Sequence, residues 1–146
     1  DEKYFIDESD LERWEYLKGA KNEERTAANG HTYNYTEGAV AFPEPLDRPA
    51  RTILTSEGTT SPSREKHAVK DPETGRLRIL TPEEVERIMG FPSGWTESIK
   101  ENWRYTTMGN ALVVGLVEQM GRVLQEGPAV VSQGQLDEVG ALGYDD

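Results

Sequence analysis

The chain has 146 residues, 35% of them hydrophobic, a mean hydropathy of −0.72 and a net charge of −11, which suits one small domain or a piece of a larger one. The apolar share is low, so an incomplete core with apolar surface left for a partner is expected. Cysteine is absent, which excludes disulfides and thiolate metal sites, and no run approaches the roughly 18 apolar residues of a membrane span. His31 and His67 stand alone without ligand spacing, so neither a metal nor a membrane is expected as a partner. No signal peptide is visible from Asp1 onward, so a chain cut from something longer is expected, and the lack of cysteine fits an intracellular, cytoplasmic protein.

Ser9-Asp10-Leu11-Glu12 has the form of a capping box, and Leu11, Trp14 and Leu17 form a stripe that ends at Gly19. A short N-terminal helix is predicted there. Residues 18–28 are polar and charged and read as a loop. Asn29-Gly30 marks a turn, and residues 31–36 alternate like a strand with Tyr33 and Tyr35 packed on one side. Pro43, Pro45 and Pro49 make an extended connection. Residues 51–56 read as a second strand, residues 57–64 as a flexible loop rich in hydroxyls, and residues 71–75 as a turn.

The segment from Arg78 to Pro92 has the firmest local signals. Thr81 is a good helix N-cap with Glu84 three residues later, Pro82 fills the first helical position, and Leu80 and Val85 flank the cap as a hydrophobic staple. Val85, Ile88 and Met89 share one face. Gly90 can end the helix in a left-handed conformation, and Pro92 prevents its resumption.

A final helix is predicted with Asn110 as its N-cap. Leu112, Val113, Leu116, Val117, Met120, Val123 and Leu124 recur at helical spacing, and Gly127-Pro128 stops the pattern. The first turn from Ala111 is apolar all round, which calls for burial against a partner. Gly109-Asn110 would then offer free N–H groups suited to a polar or anionic ligand. Beyond Pro128 lies an acidic tail.

Charge is uneven. Between Arg48 and Arg78 there are seven Lys/Arg and four Asp/Glu, a local charge of +3, which leaves −14 for the remainder. Local charge governs attraction to phosphates.

The string from Arg78 through Leu80-Thr81-Pro82, Glu84 and Arg87 to Gly90-Phe91-Pro92, with Gly109-Asn110-Ala111 following, resembles the last two conserved blocks of the DNA cytosine-5 methyltransferases. The resemblance implies that Arg78, Pro82, Glu84, Arg87, Gly90, Phe91, Pro92 and Gly109 are structural positions. It implies that the Gly-Asn block closes one side of an S-adenosylmethionine pocket, with Asn110 and Ala111 touching the cofactor. Ala111 stands where many relatives have serine, which leaves only a backbone contact there. Pro49-Ala50-Arg51-Thr52-Ile53 is similar to the end of the family's variable DNA-reading region, so Arg51, Thr52, Arg64 and Lys66 are expected to face DNA.

The Gly-rich cofactor turn, the Pro-Cys nucleophile block and the Glu block of the family have no counterpart here. No catalytic residue is therefore assigned, and the chain alone is expected to be inactive. Its implied partners are double-stranded DNA and a catalytic domain or subunit, as in a restriction-modification methylase or the small subunit of a split one. The implied fold is α+β. Residues 1–92 would form part of a strand-rich target-recognition domain, residues 93–127 a linker and helix that packs on an α/β methyltransferase domain, and residues 128–146 the acidic tail. A non-enzymatic acidic protein, a DNA mimic or adaptor, is the competing reading.

Overall fold

The computed structural model describes residues 1–127, so the acidic tail at 128–146 lies outside the described residues. The chain divides into one unit at Asp1–Val113 and a second that begins at Val114. Two small antiparallel sheets and several helices give it an α+β character.

The first unit opens with single 3-10 turns at Glu2–Tyr4 and Glu8–Asp10, the latter running into helix α1 (Leu11–Lys18). The expected box at Ser9 does not form. The Asp7 carboxylate instead accepts the Ser9 N–H at 2.8 Å and its hydroxyl at 2.6 Å, so the cap sits two residues earlier. Gly19 closes α1 as expected. Trp14, fully buried, stacks on Phe42 with ring centroids 5.9 Å apart and packs with Ile6, Ala68 and Ile79.

Strands β1 (Lys21–Thr26) and β2 (Thr32–Glu37) form a hairpin in register from Lys21↔Glu37 to Thr26↔Thr32. Gly30 turns it at φ +82°, the left-handed region that glycine enters without strain. β2 matches its prediction, whereas β1 replaces the predicted loop. Both strands are mostly exposed, so the ladder of backbone hydrogen bonds rather than apolar alternation defines β1. The Arg25 guanidinium lies 3.7 Å from the centre of the Tyr35 ring, while Tyr33 remains exposed. Of the two tyrosines expected to pack, only Tyr35 is covered.

From Gly38 to His67 there is no regular secondary structure, and the strand predicted at 51–56 does not form. Ile53 is buried there, but the chain turns at once after it. Strands β3 (Val69–Lys70) and β4 (Leu77–Arg78) form a second hairpin across the predicted turn. Asp71 accepts the Thr74 N–H and hydroxyl, each at 2.9 Å, and Gly75 supplies φ +72°.

Helix α2 (Pro82–Ile88) carries the predicted capping box in both directions, and Gly90 follows it at φ +82°. Helix α3 (Glu101–Asn110) corrects the sequence reading. Asn110 ends a helix rather than capping one, and the final helix, α4 (Val114–Glu126), starts four residues later. The main core joins Ile53, Val69, Leu80, Val85, Met89, Tyr105 and Met108, with Phe91 and Ala111 against it. α4 ends at Gly127, φ +75°.

Candidate functional site

Within the Arg78–Pro92 string, Arg78, Thr81 and Glu84 bond to one another. The Arg78 guanidinium forks onto the Glu84 carboxylate with two bonds of 2.8 Å, and its Nε reaches Asp71 at 3.1 Å. Bidentate pairing of this kind fixes direction as well as distance. Glu84 also takes the Thr81 N–H at 2.8 Å, so one carboxylate ties β4, the cap of α2 and, through Arg78, the β3–β4 turn. Pro82 is buried at the first helical turn. Arg87 and Pro92 are exposed. Phe91 packs between the core and Trp95, with ring centroids 5.9 Å apart.

A second cluster was not legible in the sequence. Glu86 is fully buried and accepts the Gly94 N–H at 2.6 Å, the Thr96 N–H at 3.0 Å, the Thr96 hydroxyl, and Arg104 at 2.9 Å. The loop after α2 is thereby wrapped around one carboxylate and bolted to α3. Burial alone would push the Glu86 carboxyl up, but the bonds from Thr96, Arg104 and Gly94 outweigh it and hold it down at about 2. Asp71 is held at about 2 by the Thr74 N–H, Arg78 and the Thr74 hydroxyl.

Both carboxylates are thus more acidic folded than unfolded. Their contribution is complete above about pH 4.5 and is lost as the pH falls toward about 2. Thermal melts from about pH 6 to about pH 2 should show a fall in midpoint across that window, and Glu86→Gln should make that fall shallower. A variant with an acid limb as steep as that of the wild type would contradict this.

The residues expected to face DNA hold their loop instead of extending from it. Arg51 pairs with Glu44 at 2.5 Å and donates to the carbonyls of Glu65 and Lys66. Arg64 pairs with Glu37 at 2.9 Å and donates to the carbonyl of Leu17. Lys66, itself buried, donates to Thr59 and Ser61. Burial pushes its ammonium pKa down. Thr52 is exposed. The partners of these cations lie up to 47 residues away in sequence, which local charge counting cannot reveal.

Beneath the same loop, Glu57 is fully buried. It accepts the Leu54 N–H at 3.2 Å, the His67 N–H at 2.9 Å and the His67 Nδ1 at 2.9 Å. Burial raises its pKa, and these bonds more than reverse that. Lys18, also buried, reaches the Lys66 carbonyl and lies 3.5 Å from Glu44. No local pattern marks Glu57, His67 or Lys18 as interior residues.

At the end of α3, Gly109 lies directly on the backbone of Leu54 and Thr55, where a Cβ would overlap main-chain atoms. The Ala111 N–H is taken by the Met108 carbonyl at 3.1 Å, whereas Asn110 is exposed with no side-chain partner among the described residues. This edge presents helix-end carbonyls and a free amide. Gly109 and Asn110 lie inside α3 rather than at a helix start, so the last turn offers carbonyls at this position, which suit hydrogen-bond donors.

The described part of the second unit, α4 and Gly127, has Leu116 at 58% and Leu124 at 82% exposure, with Val117, Met120 and Val123 also exposed. Among the described residues no cluster of His, Asp and Glu could hold a metal, and no helix is long and apolar enough to cross a membrane.

The first unit thus combines an α+β fold, an arginine–glutamate motif and a hydroxyl-rich loop, and the second carries an amphipathic helix with an exposed apolar face. The family profile for C-5 cytosine-specific DNA methylase matches residues 2–126, and the chain belongs to that family. It is 39% identical over 126 residues to the Type II methyltransferase M.Sau3AI of Staphylococcus aureus, covering 86% of this chain and 30% of that protein. It is 37% identical over 65 residues to the Type II methyltransferase M.MspI of Moraxella sp, covering 44% of this chain and 15% of that one. The chain thus spans under a third of the length of the curated relatives it matches. No solved structure matches it.

Proposed function

We propose that this chain is the C-terminal part of a DNA cytosine-5 methyltransferase, contributing DNA recognition and one wall of the cofactor pocket. The observation that carries this reading is the match over residues 2–126, which includes an Arg78–Pro92 string in which Arg78 forks onto Glu84. Thr52 and the hydroxyl loop after it would meet double-stranded DNA. Arg51, Arg64 and Lys66 would set the loop's shape and lend it positive potential from below, rather than each gripping a phosphate.

Asn110 fits a cofactor wall, since its amide is free and the end of α3 offers carbonyls to a donor group. Ala111 would contribute backbone only. S-adenosylmethionine, when bound, supplies the methyl group. Because Gly109 rests on Leu54 and Thr55, the proposed cofactor wall and the proposed DNA-reading segment are one body. A displacement at one is felt at the other. The apolar face of α4 would pack on the catalytic domain that carries the nucleophile.

The reaction needs a thiolate to add to cytosine C6, and this chain has no cysteine. Tritiated-methyl transfer to mixed DNA should be undetectable for the purified chain and should appear when the cysteine-bearing part of the enzyme is supplied. Robust incorporation by the chain alone would overturn the assignment.

A further inference from the structure

The hydroxyl-rich segment after Thr52 has no strand ladder and no helix to fix its shape. Its course is set by a few internal anchors. Lys66 gathers Thr59 and Ser61 from below, the Trp14 Nε1 donates to the Thr60 carbonyl at 3.2 Å, and Glu57 folds the chain back on Leu54 and His67.

The Glu57 anchor is chemically expensive. A fully buried carboxylate gives up its hydration, and the ring it binds leaves a second nitrogen unsatisfied. His67 is buried, its Nδ1 faces the carboxylate, and its Nε2 has no hydrogen-bond partner among the described residues. An apolar pair of similar volume would fill the same space at lower cost. The pair does achieve a fixed backbone. One carboxylate holds both the start and the end of the loop, since Leu54 follows Thr52 by two residues and His67 lies beyond the loop's last hydroxyl. Thr52, Thr55 and Ser56 are exposed around this anchor. A hydroxyl can serve as donor or acceptor to any base edge, so it discriminates only where the backbone fixes its position.

We propose that the buried Glu57–His67 pair is the positioning element for sequence discrimination by the loop that begins at Thr52. This rests on reading the chain as the DNA-recognition part of a cytosine-5 methyltransferase. Neither residue touches DNA. Glu57 holds the Leu54 and His67 main-chain N–H groups, and His67 fixes the carboxylate from the side.

The test uses the full-length enzyme and a library of randomised duplex oligonucleotides, with methylated sites read by bisulfite sequencing. Wild type, Glu57→Gln, His67→Asn and Thr52→Val are compared. Glu57→Gln and His67→Asn should each lower discrimination between the preferred site and its single-base neighbours by about tenfold or more. KM for DNA should rise while kcat stays within about threefold. The double variant should lose little beyond either single change, because the two residues act as one unit.

Glu57→Gln or His67→Asn with wild-type discrimination, alongside a Thr52→Val variant that loses it, would overturn the positioning role and leave DNA reading by the loop intact. So would a fall in kcat with discrimination unchanged. Wild-type site preference in Thr52→Val together with both pair variants would overturn the recognition reading itself. Should Glu57→Gln not fold, His67→Asn decides alone, since it keeps the carboxylate bonded to the Leu54 and His67 main-chain N–H groups.

Discussion

Glu86→Ala is expected to lower stability by roughly 3–5 kcal/mol, the cost of breaking a buried ion pair from one side. The carboxylate is fully buried and satisfies Arg104, Thr96 and Gly94 together. Its removal leaves two main-chain N–H groups and a hydroxyl without an acceptor, and each orphaned buried donor costs about 1–3 kcal/mol. Arg104 would retain the much more exposed Glu83, at 2.7 Å, and the Thr96 hydroxyl, at 3.0 Å from its Nε. The comparison is Glu83→Ala, which removes the exposed partner of the same guanidinium and should cost at most about 1 kcal/mol. Urea midpoints of the purified variants decide the matter. Equal losses would mean that the buried carboxylate is not the joint between the loop after α2 and α3.

Leu116→Asp is expected to abolish association with the catalytic part of the enzyme. Leu116, Val117, Met120, Val123 and Leu124 recur at i, i+1, i+4, i+7 and i+8 along α4, an apolar stripe opposite Glu118, Gln119, Arg122 and Gln125. A helix of 13 residues is marginal in water by itself, and one ion pair, Arg122 with Glu118 at 2.6 Å, does little to change that. Its stability must come from what covers the stripe. An aspartate there would bury a charge with no partner. Asn110→Ala should behave differently, weakening S-adenosylmethionine binding by about tenfold with assembly intact, as loss of one hydrogen bond would. Co-purification and cofactor titration of each variant separate the two effects. If Leu116→Asp assembles and Asn110→Ala titrates like wild type, neither element plays the role proposed for it.

The sequence was most informative where the physics is local. Thr81 and Glu84 are three residues apart and bond to each other, so α2 could be placed with its cap and its Gly90 stop. The residues of β1, 21–26, are all polar and gain their order from pairing with β2, so no apolar alternation marks the strand. α3 is unmarked for a related reason. Only Tyr105 and Met108 of its ten residues are buried, too few to show a helical period. The apolar run from Ala111 then looked like a helix start, whereas residues 111–113 form a break between two helices. The basic stretch was legible as charge but not as geometry, because Glu37 and Glu44, which pair with Arg64 and Arg51, both precede the stretch whose charges stand out. Glu57 and Glu86 were invisible as interior groups. A buried carboxylate has no sequence pattern of its own when its donors come from main-chain N–H groups elsewhere.

The loop between Thr52 and Lys66 separates what the chain must keep from what it is free to change. Its anchors point inward and involve Glu57, Lys66 and the backbone of Thr60. Thr55 and Ser56 present their side chains at the surface and contribute nothing to either apolar core, whereas the hydroxyls of Thr59 and Ser61 also hold the buried Lys66. Substitutions at the exposed tips therefore cost little folding free energy, while every one alters the pattern of donors and acceptors on offer. A protein built this way can acquire a new preference by point changes without first acquiring a new fold.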